Sequence, residues 1–119
     1  MKKILLVDDD IDFLLLLQNM LRSKGYVVIA LECGNNVIST MEVDHPDLLI
    51  LDINIGEYDG REICRQVKSD HSYDHIPIIL LSALVKENDA MNGCEADAFI
   101  EKPISTSLFL QRIESLMIA

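Results

Sequence analysis

The sequence predicts an α/β fold: a doubly wound, five-stranded parallel sheet covered by helices. Three observations predict it. Five short aliphatic runs alternate with stretches of helical periodicity, which is the pattern of βαβ units. Runs such as Leu48–Leu51 are apolar at every position, as strands covered on both faces are. The inner runs also stop abruptly on polar residues, and in open α/β sheets the carboxyl ends of the strands are where ligands bind. Five strands in this alternation favour the order 2-1-3-4-5, whose switch point lies between strands 1 and 3.

Lys3 to Val7 forms the first strand and runs into Asp8, Asp9 and Asp10. A helix follows, with Phe13, Leu16, Leu17, Met20 and Leu21 as its inward stripe and Lys24-Gly25 as its stop. Leu14 and Leu15 fall off that stripe and are expected to face partly toward solvent. Tyr26 to Leu31 is the second strand, and Asn35 to Val43 a weaker helix facing inward through Val37, Ile38 and Met41. Leu48 to Asp52 is the third strand, bounded by His45-Pro46 and Gly56. A short helix, Gly60 to Lys68, packs through Ile63, Cys64 and Val67. After the polar loop Ser69 to His75, the fourth strand runs from Ile76 to Ser82. Lys86 to Cys94 is a poor helix carrying Asn88, Asn92 and Gly93. Ala98 to Glu101 is the fifth strand, followed by Lys102-Pro103. Ser105 can cap a last helix whose buried face is Phe109, Leu110, Ile113, Leu116 and Met117.

At 119 residues the chain reads as one domain, residues 1–119, without repeat or linker. Its net charge of -10 leaves no basic stripe to release counterions from a phosphate backbone, so direct nucleic-acid binding is not expected. An acidic body suits a metal cation or a basic partner surface. Cys33, Cys64 and Cys94 lack metal-ligand spacing and read as reduced, mostly buried thiols of a cytoplasmic protein. No segment has the length to span a bilayer, and the amino terminus turns acidic too soon for a signal peptide. His45, His71 and His75 read as loop residues.

In the predicted strand order Asp8 and Asp9 converge on Asp52, with Ser82 on the next strand and Lys102 just beyond. Three crowded carboxylates repel unless a cation intervenes, and Mg2+ fits oxygen ligands that leave it several waters. Asp52 can then act as a nucleophile toward phosphorus. Mg2+, the Lys102 ammonium and the Ser82 hydroxyl can hold the charged oxygens of a phosphoryl group.

Four stretches together resemble one family. These are Val7-Asp-Asp-Asp, Pro46-Asp-Leu-Leu-Ile-Leu-Asp52 with Asp59-Gly60 after it, Pro77-Ile-Ile-Leu-Leu-Ser82-Ala83, and Ala96-Asp-Ala-Phe99-Ile-Glu-Lys102-Pro103. In order and spacing, over nearly the whole length, they are similar to the receiver domain of two-component response regulators. The resemblance implies a flavodoxin-like fold with five helices, and a phosphoacceptor, Asp52, that takes phosphate from the phosphohistidine of a histidine kinase or histidine phosphotransfer protein. It implies Mg2+ held by Asp8, Asp9, Asp52 and the backbone carbonyl of Asn54. It gives Lys102 a contact with the phosphoryl group, across a cis bond to Pro103. It makes Ser82 and Phe99 a switch pair that relays phosphorylation to the face formed by the fourth helix, fifth strand and fifth helix. That face is the expected surface for a partner, an output domain or a phosphorylation-dependent dimer. The expected role is signalling, not turnover of a separate substrate.

The chain departs from the family pattern at Gly56, where proline is usual and a looser loop is expected, and at Glu95, where glycine is usual and a left-handed backbone would strain it. The segment between Ser82 and Phe99 is also slightly short. Leu14 and Leu15 stand where polar residues are usual, near the docking surface for a phosphohistidine helix. Two other readings share the strand-end carboxylate or the fold. An aspartyl-phosphate phosphatase would carry a second Asp where Asn54 stands, and a flavin module would need a hydroxyl-rich phosphate loop where Asp8, Asp9 and Asp10 stand.

Overall fold

The computed structural model describes residues 2–82 and 94–117. Its elements in chain order are β1 (Lys3–Val7), α1 (Ile11–Ser23), β2 (Val27–Leu31), a 3-10 turn (Gly34–Asn36), α2 (Val37–Asp44), β3 (Leu48–Asp52), β4 (Asn54–Ile55), β5 (Tyr58–Asp59), α3 (Gly60–Ser69), β6 (Ile78–Ser82), β7 (Ala98–Glu101) and α4 (Thr106–Met117). Five strands form a parallel sheet in the order β2-β1-β3-β6-β7, while β4 and β5, two residues each, form a separate antiparallel hairpin. With the hairpin set aside, that order is the expected 2-1-3-4-5. Four α-helices lie among the described residues. The expected helix at 86–94 lies, but for Cys94, outside them.

Each inner strand is buried on both faces, and its alternate side chains feed two cores. Leu5, Val7, Leu49, Leu51, Ile78 and Leu80 pack with Val37 and Met41 of α2 and Ile63, Cys64 and Val67 of α3. Ile4, Leu6, Leu48, Ile50, Ile79 and Leu81 pack with Leu14, Leu17 and Leu21 of α1 and Phe109 and Ile113 of α4. Helices therefore cover both faces, two on each among the described residues. A fully buried Leu or Ile contributes roughly 1.5–3 kcal/mol of transfer free energy, so these two layers hold the sheet flat against its helices.

The phase of α1 differs from the expected one. Leu14 is buried, whereas Leu16 is among the exposed large apolar residues, together with Ile11 and Leu15. At about 100° per residue, Leu14 lies about 60° to one side of the central Leu17, and Leu16 lies about 100° to the other. Five successive apolar residues, Phe13 to Leu17, allow either phase by letter, and the packing of Leu17 and Leu21 selects one.

The ends of α1 follow from local chemistry. The Asp10 carboxylate accepts from the Phe13 amide at 3.2 Å and caps the amino end. At the other end the Tyr26 amide donates to the Leu21 carbonyl and the Gly25 amide to the Arg22 carbonyl, with Gly25 at φ 93°. This double closure uses the left-handed freedom of glycine and delays β2 to Val27. Likewise, the Ile76 amide closes a turn onto the Tyr73 carbonyl, and Pro77 has no N–H to give, so β6 starts at Ile78 rather than Ile76. Glu95 does not take the left-handed backbone that would strain it. Among the described residues His45, which closes α2, is the non-glycine with positive φ.

Candidate functional site

β1, β3, β6 and β7 run parallel, so their carboxyl ends share one edge of the sheet. Val7 pairs with Leu51, which sets Asp8 beside Asp52; Asp52 pairs with Leu81, which sets Ser82 one residue beyond. Asp8, Asp52 and Ser82 are all buried, and Asp9 is exposed at the rim. One oxygen from each of Asp8, Asp9 and Asp52 lies within 4.8 Å of the others. The three carboxylates expected to converge do so.

Lys102 crosses to them from the end of β7. Its Nζ donates to Asp8 Oδ2 at 2.9 Å and to Asp52 Oδ2 at 3.1 Å. The Lys102 amide donates to the Ser82 carbonyl at 2.8 Å, which fixes the start of that reach. The Lys102–Pro103 bond is cis. Burial alone would lower the ammonium's proton affinity, but the hydrogen bond it donates to Asp8 and the charges of Asp8 and Asp52 outweigh it and hold the pKa above its ordinary value. Lys102 is therefore cationic at neutral pH. Burial is also the first cause at Asp8, raising its pKa even though the Asp10 amide and Lys102 pull it down. The ionised cluster is thus compensated only in part.

Backbone amides steady the carboxylates. Asp10 N donates to Asp8 Oδ1 at 2.9 Å, Asn54 N to Asp52 Oδ1 at 3.3 Å, and Gly56 N to Asp9 Oδ2 at 3.0 Å. The donor set consists of hard oxygens around a surplus of negative charge, which suits a small divalent cation such as Mg2+. Phe99 is half-buried against the core that includes Leu80, its partner across the β6–β7 pair.

Three contributors escaped the sequence. Phe13 was assigned to the core face, yet Lys102 Nζ stands 4.3 Å from its ring centroid, so the ring also stabilises the ammonium. Gly60 lets α3 start against Asp52. Gly56, expected to loosen the loop, is the first central residue of the β4–β5 turn, with φ 59°. The Gly56-Glu57 pair between Ile55 and Tyr58 carried a readable hairpin signal. The cysteines need a correction as well: Cys64 is buried and Cys94 partly so, but Cys33 is exposed. Burial, and then the neighbouring Cys94, push the Cys64 thiol up to about 12, where it is inert.

A five-stranded doubly wound sheet, with an acidic cluster and a bridging lysine at its switch point, defines a class of α/β domain built around a strand-end aspartate. The sequence profile described as the response regulator receiver domain matches residues 4–114, and the chain belongs to that family. It is 31% identical over 120 residues to the polar-differentiation response regulator DivK of Brucella ovis, covering 98% of this chain and 96% of that protein. It is 35% identical over 118 residues to the probable transcriptional regulator ycf27 of Cyanophora paradoxa. There the match covers 98% of this chain but only 48% of the relative, so the chain spans about half of that protein's length. Its fold superposes with a TM-score of 0.89, at 23% identity, on the receiver domain of a sensor histidine kinase of Pseudomonas aeruginosa. That match covers 99% of this chain and 98% of the other, whose structure holds a magnesium ion coordinated in the active site cleft. Among the described residues no helix is long and apolar enough to cross a membrane.

Proposed function

We propose that residues 1–119 form the phosphoacceptor switch of a two-component phosphorelay in the cytoplasm, with Asp52 as the residue that is phosphorylated. The observation that carries this reading is the reach of Lys102 to both Asp8 and Asp52 at the end of β3. A buried carboxylate beside a fixed cation, on the edge where an α/β sheet binds its ligands, is placed to attack phosphorus. The donor is a phosphohistidine on a histidine kinase or histidine phosphotransfer protein. An Asp52 oxygen forms the new bond to phosphorus as the P–N bond breaks. The electron pair stays on the imidazole nitrogen, which takes a proton from water.

Asp8, Asp9, Asp52 and the Asn54 carbonyl would hold Mg2+, which supplies positive charge opposite the phosphoryl oxygens. Lys102 turns from the Asp52 carboxylate to the phosphoryl group added to it and donates a charge-assisted hydrogen bond. The buried Ser82 hydroxyl donates to the same group, and Phe99 turns inward behind it. Phosphate favours one arrangement of this pair only by the contacts it adds there, so it shifts a pre-existing equilibrium. The change is read on the face around β7 and α4, by a partner, a second copy or an output domain of a longer protein. The domain signals; its chemistry is confined to its own phosphorylation and slow hydrolysis at Asp52. A phosphohistidine helix docks near the exposed Leu15 of α1, now that Leu14 is accounted for in the core.

The test is to incubate the protein with acetyl phosphate and Mg2+ and weigh it intact. A phosphate-sized gain that needs the metal and is absent in Asp52→Asn is expected. A label on serine or histidine, or steady turnover of small phosphate esters, would refute the assignment. In a parallel arm, Leu15→Gln should slow transfer from a phosphohistidine protein but not from acetyl phosphate. Equal loss with both donors would remove the docking role.

A further inference from the structure

Asp9 differs from the other two carboxylates of the cluster. Asp8 and Asp52 are buried and share Lys102, whereas Asp9 is exposed, so packing does not fix its rotamer. What holds it is the Gly56 amide, at 3.0 Å from Oδ2. Gly56 lies 47 residues away in sequence, in the turn of the hairpin that follows Asp52. Two properties of the residue make the bond. It has an N–H, and it sits at φ 59°, a left-handed conformation that glycine adopts without steric cost. Space is not the reason for glycine here, since a Cβ at this position would meet nothing within 4 Å. Proline, the residue expected at this position from the resemblance, has neither property: its φ is locked near −65° and it lacks the hydrogen.

We infer that Gly56 is a positioning residue for the cation site. Its amide ties Asp9 to the loop that follows Asp52, so that the exposed carboxylate is already gathered with the buried two before a cation arrives. A carboxylate left free would lose rotamer entropy on binding, and the tie removes part of that loss beforehand. The inference rests on the metal reading proposed above.

The test is Mg2+ binding to the unphosphorylated chain, followed by titration calorimetry, in the wild type, Gly56→Pro and Gly56→Asn. Asparagine keeps the N–H and tolerates the left-handed region better than other side chains. The proline variant should bind Mg2+ more weakly by on the order of tenfold, as removal of a group that orients a ligand does, and the asparagine variant within about twofold of wild type. Amide hydrogen exchange gives a second readout: Gly56 N–H should exchange faster in Asp9→Ala than in the wild type. If the proline variant does not fold, judged by circular dichroism, asparagine and the exchange arm decide. A proline variant that binds as tightly as wild type, an asparagine variant that is as weak as proline, or a Gly56 amide indifferent to Asp9→Ala would each overturn the tie alone. A wild type that takes no Mg2+ would overturn the metal reading together with it.

Discussion

Position 60 shows how much one hydrogen atom in place of a methyl group can decide. Gly60 starts α3 with its amide donating to the Ile53 carbonyl at 2.7 Å. A Cβ there would stand 2.2 Å from the Asp52 carbonyl oxygen and 3.0 Å from its carbon, and both of those are backbone atoms that cannot swing aside. Gly60→Ala should therefore push α3 and the Asp52 backbone apart and destabilise the domain by about 1–3 kcal/mol, the usual cost of overpacking. Urea unfolding at pH 7 measures this, and the same variant should accept phosphate from acetyl phosphate more slowly. A change below about 0.5 kcal/mol would show that the helix can tilt freely. Gly56 is the converse case, with open space around it and a positive φ. The two glycines are the same letter with opposite reasons, which is why sequence reading could register Asp59-Gly60 as a motif without finding its cause.

At the scale of elements, the helix ends are written in local chemistry and the helix faces less so. Asp59 caps α3: its carboxylate accepts from the Arg61 amide at 2.9 Å and pairs with the Arg61 guanidinium. The Arg61 side chain, first among the causes, holds the Asp59 pKa below its ordinary value. A carboxyl group depressed on folding adds stability that is fully present above the unfolded pKa of 3.8 and is lost as the pH falls through the lower folded value. Asp59→Ala should thus cost about 1 kcal/mol at pH 7, mostly through the lost cap, because the ion pair is exposed. The gap should narrow below about pH 4, and denaturant titrations at pH 7 and pH 3 check it. A gap that widens on acidification would contradict the sign. Strand β3, with Pro46 before it and a carboxylate at its end, was legible to the residue, α3 to within one residue at its carboxyl end, and the gathering of Asp8, Asp9, Asp52, Ser82 and Lys102 at one edge was legible too. The phase of α1 was not, because a run of five apolar residues carries no periodicity. Nor were the two contacts that hold the site's rim, Phe13 on Lys102 and Gly56 on Asp9, because each joins residues far apart in sequence and only the folded sheet brings them together.

For the molecule as a whole, the cluster works against the stability of the fold. Among the described residues three carboxylates face one ammonium, a surplus of two negative charges when the site is ionised, and two of the carboxylates are buried. The apolar layers on both faces of the sheet act against that cost. A cation that binds only the folded chain adds stability by mass action, about 2.7 kcal/mol at a hundred times its dissociation constant. For a domain of this size that corresponds to a rise in melting temperature of roughly 10 °C. Thermal unfolding in increasing Mg2+ should therefore move steadily upward. Asp52→Asn removes one of the repelling charges and can keep an acceptor for Lys102, so the metal-free variant should melt above the metal-free wild type and respond less to Mg2+. The convergence of the two curves is the diagnostic, with the variant ahead without metal and its lead shrinking as Mg2+ rises. Parallel curves would mean that the cation acts elsewhere on this acidic surface, and a wild type indifferent to Mg2+ would overturn the metal reading.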